Sequence, residues 1–241
     1  MRYHSLRRYL LFIMLMLFTA LSLNALSLNA QASDQAKVRL LVEEYPPYLY
    51  VTDGKIEGSL YPAIERFFED ADVSFSTEVY PWSRAHKLVM ETPNVAIAPI
   101  VRVGNREEKL KWLKKLTTIK AYVYKLKSRD DIPQAQSIDE LFDCTFGAYS
   151  NGADYLYLKE KGAPNIDVLH NYDLNIRKLM RGRVDLMLTS PEVLAYYAKD
   201  MGIDIQLFEP VMEIKDVQVN LFVAINKDSD TQIVDELEAI K

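Results

Sequence analysis

The sequence predicts an α/β protein built from two lobes, each with a mainly parallel sheet. Short β-type runs alternate with helical patterns almost throughout residues 38–226, which is typical of α/β units. The run Val95–Val101 is almost continuously apolar, as parallel strands buried on both faces require. Two further extended stretches, 122–126 and 217–225, flank the second set of units, and we interpret them as crossings between the lobes. The predicted lobes are residues 36–124 together with 218–241, and residues 125–217.

Lobe one is predicted to begin with a strand over Val38–Val42, which ends at two adjacent prolines that withhold amide donors and force a loop. Asp53 and Gly54 then signal a turn. Pro62 suits the first turn of a helix, and Ser83 can cap another helix. The remaining predicted elements of this lobe are strands over residues 73–79 and 95–101 and a final helix over residues 230–241.

Lobe two repeats the alternation of strands and helices. Ser137 and Glu140 have the spacing of a capping box. Asp173 is predicted to open a helix that Gly182 closes. The other predicted elements are strands over residues 145–149, 166–169, 184–188 and 205–208, and helices that begin after Asn151 and at Pro191.

The first residues have the pattern of a secretory signal. A basic start runs into the apolar stretch 10–18, which continues to Leu23, and small residues then offer a cleavage site after about Ala32. The alternative is an uncleaved membrane anchor, which needs about 20 apolar residues, whereas Ser22 and Asn24 interrupt this run. We therefore expect residues 1–32 to be a cleaved signal peptide and the protein to reside in the periplasm.

The composition excludes several classes of function. The net charge is −5, and a signal peptide would take three arginines with it, so the acidic surface argues against nucleic acid as a partner. The only cysteine, Cys144, allows no intramolecular disulfide, and its apolar neighbours predict a buried, inert thiol. Histidine-based metal motifs and phosphate loops are absent, so we expect no metal and no cofactor. The 34 acidic residues could include a catalytic pair, although solvated faces explain them better.

Two places could bind an anion. Arg102 and Arg106 follow the buried strand Val95–Val101, and ligands of open α/β sheets bind at the carboxyl ends of strands. Arginine suits bidentate capture of a carboxylate, although both residues could instead belong to the basic, solvated stretch that continues to residue 115. The predicted helix start at Asn151, Gly152 and Ala153 points free N–H groups outward. Either a bound anion or an ordinary capping group can accept hydrogen bonds from them. Tyr45 and Trp82, beside prolines, could form an aromatic platform.

Four marks occur in an order that resembles a known family. They are Tyr45-Pro46-Pro47-Tyr48 before Asp53-Gly54; the stretch 94–106; Gly147 to Gly152; and Gly182-Arg183-Val184-Asp185 before Ser190-Pro191. Together they resemble the family 3 extracellular solute-binding proteins, best known as the amino-acid receptors of ABC transporters. The resemblance covers nearly all of the chain after residue 32, and relatives usually continue beyond a position equivalent to Lys241 to complete lobe one.

The resemblance implies a type II periplasmic binding fold, in which two lobes joined by a two-strand hinge close on a ligand. It implies that Arg106 clamps the ligand carboxylate, that Tyr45 covers the ligand, and that the helix start near Asn151 closes from lobe two. The predicted ligand-binding residues are Tyr45, Trp82, Arg84, Arg102, Arg106, Asn151, Gly152, Ala153 and Ser190. The expected partners are a small solute and a membrane permease or sensor, and the expected protein is a monomer that catalyses nothing.

The chain also departs from the amino-acid receptors. Val103 stands where they have a hydroxyl, Gly152 and Ala153 where they have Thr or Ser, and Ser190 where an Asp holds the ligand's amino group. Because a buried ammonium without a carboxylate partner is costly, an ordinary α-amino acid is an unfavourable ligand, and we expect a small anion or another carboxylate-bearing solute.

Two other functions stay open at this stage. The same fold carries cyclohexadienyl dehydratases, which need an acid–base residue in the cleft. The chain could also be an interaction protein with a vestigial pocket, which a cleft with Arg106 tied to a neighbouring acid would favour.

Overall fold

The structure is a computed structural model that describes residues 37–240. The predicted signal peptide, residues 1–32, lies outside the described residues. In chain order the strands are β1 Val38–Val42, β2 Tyr50–Thr52, β3 Lys55–Glu57, β4 Phe75–Val79, β5 Val95–Val101, β6 Leu110–Leu126, β7 Phe146–Tyr149, β8 Ile166–Leu169, β9 Leu186–Thr189 and β10 Phe208–Asn226. The α-helices are α1 Tyr61–Asp70, α2 Trp82–Glu91, α3 Ala153–Lys161, α4 Tyr172–Met180, α5 Pro191–Asp200 and α6 Thr231–Glu238.

One eight-stranded sheet runs through the protein in the order β4-β1-β5-β10-β6-β9-β7-β8. In the first half of the sheet, β1 is parallel to both β4 and β5. In the second half, β7 is parallel to both β8 and β9. The two long strands β6 and β10 are antiparallel to each other and extend through both halves. The predicted α/β class with two parallel sets and two connecting strands is therefore confirmed.

Each half of the sheet is covered by helices on both faces. Successive residues of β1 point to opposite faces, so Leu40 packs in a cluster with Phe68 of α1, while Leu41 packs in another with Val89 of α2. In the second half, Phe146 of β7 belongs to a cluster that includes Leu158 of α3. These side chains are fully buried, and this arrangement explains why the parallel strands read as continuous apolar runs.

Several local features differ from the sequence predictions. Asn171, and not Asp173, caps α4 by accepting the Asp173 N–H. Helix α2 begins at Trp82 after Pro81, and no side-chain cap is formed, so the predicted cap at Ser83 is wrong. The predicted strand over residues 205–208 is a 3₁₀ turn, Ile205–Leu207, because the Asp204 side chain accepts a hydrogen bond from the Gln206 N–H. The predicted crossings over 122–126 and 217–225 lie inside the longer strands β6 and β10.

The basic stretch after Arg106 is not a solvated loop, since it forms the first half of β6. Leu110, buried at 3% exposure, and the half-buried Trp112 pack in a core cluster, while Lys115 is exposed and Lys111 and Lys114 are half-buried. Cys144 is half-buried, and burial raises the pKa of its thiol. Among residues 37–240, no helix combines the length and apolar character that a membrane crossing requires.

Candidate functional site

A cavity of about 710 Å³ lies between the two halves of the protein. Its lining includes residues at the carboxyl ends of four parallel strands: Glu43 follows β1, Val101 ends β5, Tyr149 ends β7 and Thr189 ends β9. Ligands of open α/β sheets bind in this position, and the volume is within the range of small-molecule sites. The cavity is therefore the candidate site.

Arg106 is the most deeply buried charge in the described part of the chain, with 1% of its surface exposed. It belongs to a 3₁₀ turn that follows β5, and its Nη1 donates to the Val101 carbonyl at 2.7 Å. Its Nη2 donates across the cleft to the Asn151 carbonyl at 2.9 Å. Burial lowers its pKa to about 10, opposed by the nearby Glu43 and Asp154, so the guanidinium stays charged at neutral pH.

Glu43 provides a second ionisable group in the cavity. Its Oε1 accepts a hydrogen bond of 2.7 Å from the Tyr149 hydroxyl, which comes from the other half of the protein. Burial raises the pKa of Glu43 to about 8, and the Tyr149 bond and the charge of Arg106 only partly oppose this. Glu43 is therefore largely protonated at neutral pH, and Arg106 keeps its positive charge available.

The helix start of the second half already holds an anion from its own chain. The Asp154 carboxylate accepts the Tyr149 N–H at 2.8 Å. Burial raises the pKa of Asp154 to about 6, while the backbone N–H groups near the start of α3 and Arg106 limit the rise. A Cβ on Gly152 would lie 2.3 Å from an Asp154 oxygen, so this carboxylate position requires glycine. Of the donors predicted for a ligand at Asn151, Gly152 and Ala153, the Gly152 N–H donates to the Tyr149 carbonyl at 2.8 Å.

Aromatic rings fill the cleft beside this pair of acids. The Tyr45 ring lies 6.1 Å from that of Tyr172, which comes from the other half of the protein. Tyr172 in turn contacts Tyr149 at 5.4 Å and stacks on Tyr197 at 5.6 Å. Trp82 lies on the side of the first half, with its ring centroid 5.0 Å from the Arg106 guanidinium carbon. Tyr45 and Trp82 both line the cavity, as an aromatic platform would.

The other predicted site residues have different positions. Arg102 lines the cavity, but its exposed side chain is paired with Glu107 through two hydrogen bonds of 2.8 and 2.9 Å. Arg84 is exposed over the ring of Tyr80 and is not among the lining residues. Ser190 lines the cavity with 1% exposure, and its hydroxyl caps α5 by accepting the Val193 N–H.

Two buried N–H donors of lining residues have no hydrogen-bond partner in the described part of the chain. They are Arg106 Nε and Trp82 Nε1. Since buried polar groups are almost always paired, and an unpaired one costs about 1–3 kcal/mol, an acceptor group beside them would stabilise the protein.

Sequence reasoning missed five residues of this site, namely Glu43, Tyr149, Asp154, Tyr172 and Thr189. Three of them could have been found by the rule that singled out Arg106, because they end or directly follow a parallel strand. Tyr172 and Asp154 carried no such signal, since only the folded chain brings them to the cleft. Within residues 37–240, no group of three His, Cys, Asp or Glu side chains could hold a metal ion.

No protein-family model matches the sequence, and no curated protein matches it significantly. Solved structures do match. A histidine kinase sensor domain with similarity to periplasmic binding proteins is 15% identical, covers 86% of this chain and 89% of that chain, and gives a TM-score of 0.72.

Two amino-acid-binding proteins are similar to the same degree. An ancestral arginine-binding protein bound to arginine is 14% identical over 86% of this chain and 91% of that chain, with a TM-score of 0.69. The arginine-, lysine-, histidine-binding protein ArtJ from Geobacillus stearothermophilus is 14% identical over 85% and 87%, also with a TM-score of 0.69. The chain therefore has the fold of the periplasmic binding proteins.

Proposed function

We propose that this protein captures a small carboxylate-bearing solute in the cavity between its two halves and leaves the solute chemically unchanged. The observation that carries the proposal is Arg106, which is buried and charged and has an unpartnered Nε beside the unpartnered indole N–H of Trp82. A carboxylate is the acceptor that would satisfy both donors and balance the buried positive charge.

Capture by closure is supported by contacts that join the two halves directly. Arg106 donates to the Asn151 carbonyl, Tyr149 donates to Glu43, and Tyr45 contacts Tyr172. A ligand that adds contacts to both sides would stabilise this closed arrangement relative to an open one. The ligand contacts we propose come from Tyr45, Trp82 and Arg106 on one side and from residues 149–153, Thr189 and Ser190 on the other.

We propose the hinge where β6 and β10 pass from one half of the sheet to the other. Their pairing shifts register between Ile214 and Val219, so the ladder is already interrupted there and bending breaks few hydrogen bonds. β6 pairs with β9 only from Tyr122 onward. The lobe boundaries that we propose on this basis lie near residues 121 and 215–218, a few residues from the predicted boundaries at 124 and 217.

We further propose that the protein is exported to the periplasm, with residues 1–32 removed. The similar structures include both a sensor domain and solute receptors of amino-acid type, so a membrane sensor and a permease are both compatible partners.

The test is a thermal-shift screen against mono- and dicarboxylic acids, amino acids and amines. A carboxylate at 100 times its dissociation constant should add about 2.7 kcal/mol, or roughly 5–10 °C in Tm for a chain of this size. Arg106→Ala should abolish the rise, and Arg102→Ala, with an exposed and already paired guanidinium, should keep it. If no carboxylate raises the Tm, or if Arg106→Ala retains the rise, the proposal is wrong.

Glu43 gives the enzymatic alternative a specific basis. A carboxyl group in the cleft with a pKa of about 8 could serve as the acid–base residue that a cyclohexadienyl dehydratase needs. Turnover of prephenate by the protein, lost in Glu43→Gln, would establish this alternative. Binding without turnover would support simple capture.

The interaction-protein alternative receives less support. It requires Arg106 to be tied to a neighbouring acid. Arg106 donates to two backbone carbonyls and makes no salt bridge within residues 37–240, while the nearby Asp154 acts on its charge without a direct bond.

A further inference from the structure

The part of the cavity formed by the crossing strands is mostly apolar. Its apolar lining residues come from β6, β9, β10 and α3, and they are Ile119, Ala121, Leu156, Leu188, Ile214, Val217 and Val219. Gln218 of β10 and Lys159 and Glu160 of α3 line the cavity as well. No charged side chain of β6, β9 or β10 lines the cavity. This composition contrasts with the end that contains Arg106 and Glu43.

Part of this apolar surface is left free by the hydrophobic core. Leu188 and Ile214 belong to a core cluster, and the half-buried Ile119 and Ala121 pack against the core. Val219 is half-buried outside these clusters, and Val217 is 44% exposed. Large exposed apolar side chains are individually common on protein surfaces. A group of them that lines one cavity is a feature of ligand sites.

Strand alternation keeps charges away from this surface. Ile119 and Ala121 line the cavity, while Lys120 between them has 73% of its side chain exposed and pairs with Glu213 at 3.5 Å. Successive side chains of a strand point to opposite faces. At this point β6 thus presents apolar side chains to the cavity and lysine to the solvent.

We propose that the ligand carries an aliphatic or aromatic group in addition to its carboxylate, and that this group lies on the apolar surface of the crossing strands. The inference rests on the proposed function, because the carboxylate at Arg106 determines which end of the ligand reaches the crossing strands. The ligand class is then an amphipathic carboxylate. Part of its affinity would come from contacts between its apolar group and the strands that we propose as the hinge.

The test compares acids that differ only in their tails. Calorimetry measures the affinity of the protein for each acid separately. The acids with apolar tails are acetate, butanoate, hexanoate and 3-phenylpropanoate, and those with polar tails are succinate and 6-aminohexanoate. Each buried methylene should strengthen binding about fourfold, so hexanoate should bind far more tightly than acetate and than 6-aminohexanoate of the same chain length.

Val217→Ser and Val168→Ser form a matched pair, since both valines are exposed, at 44% and 38%, and only Val217 lines the cavity. Val217→Ser should weaken hexanoate several-fold and leave acetate unchanged, and Val168→Ser should change neither. Ala121→Asp, in the same wall, should weaken hexanoate further.

The outcomes separate the two proposals. If short or polar acids bind as tightly as hexanoate, with binding lost in Arg106→Ala, the apolar assignment is overturned while carboxylate capture stands. If hexanol binds as well as hexanoate, the apolar surface is real and the carboxylate role of Arg106 is wrong. If none of these compounds binds, both proposals fail.

Discussion

Replacing Glu43 by Gln should make the stability of the protein less sensitive to pH between about 4.5 and 8. In the folded protein the Glu43 proton is retained up to about pH 8, whereas the unfolded chain loses it near the ordinary value of 4.5. Between these values the folded state binds more protons than the unfolded state, so the free energy of unfolding falls as pH rises. Below pH 4.5 the carboxyl is neutral in both states and contributes nothing.

The magnitude follows from the pKa. One pKa unit corresponds to about 1.4 kcal/mol, so moving from 4.5 to about 8 corresponds to at most ~5 kcal/mol. Solvent that reaches the cavity would weaken the effect of burial, and we take about 2 kcal/mol as the lower bound of the stability change. Glu43→Gln can still accept the Tyr149 hydrogen bond, so it removes the ionisation and little else. Relative to wild type, the variant should gain about 2–5 kcal/mol between pH 4 and pH 9.

The assay is urea denaturation followed by tryptophan fluorescence at pH 4, 5, 7 and 9. Glu78→Gln is the control of opposite sign, because hydrogen bonding to Arg39 lowers the pKa of Glu78. Its stability difference from wild type should be complete by pH 5 and constant up to pH 9. Parallel pH curves for wild type and Glu43→Gln would refute the burial of this carboxyl group.

Two further predictions concern the fold. Gly58→Ala should lower the free energy of unfolding by more than about 1 kcal/mol, because Gly58 has a φ of +122° and a Cβ would lie 2.4 Å from the Tyr48 carbonyl oxygen. Gly54→Ala is the control, since a Cβ there has no atom within 4 Å, and it should lower the free energy of unfolding by less. Equal losses in the two variants would contradict this prediction. Phe68→Ala should lower the free energy of unfolding by about 3–5 kcal/mol, since Phe68 is fully buried. Val79→Ala is the control, because Val79 is 42% exposed. A loss below about 1 kcal/mol for Phe68→Ala would refute the packing described for this residue.

The fold could be predicted largely from patterns that burial imposes. Strand β5 was predicted with its observed bounds because both of its faces are covered, which leaves only apolar residues from Val95 to Ile100. The first half of the long strand β6 was missed because its lysines give the stretch a basic, polar composition, which hides the half-buried residues between them. The 3₁₀ turn at Ile205–Leu207 was missed because one local hydrogen bond to Asp204 overrides a β-type composition.

The site was predicted in part on both sides, since Gly152, Ala153 and Ser190 of the second half line the cavity together with Arg106 and Trp82 of the first. Arg106 was predicted because it follows a buried strand, and Trp82 because it is an aromatic residue beside a proline. Glu43 was overlooked because one acid beside another in a loop is ordinary, and only its contact with Tyr149, 106 positions away, makes it unusual. The helix start at Asn151 was predicted as a ligand site without Asp154, whose carboxylate lies beside it and accepts the N–H of Tyr149 at the end of β7.

The most direct test of carboxylate capture is the NMR signal of the Arg106 Nε–H group, assigned by its loss in Arg106→Lys. On saturation with the tightest-binding carboxylate of the screen, we expect this proton to move downfield as it forms a charged hydrogen bond, while the Arg102 Nε–H signal stays in place. If the carboxylate binds and the Arg106 signal does not move, Arg106 does not hold the ligand and the central proposal is wrong.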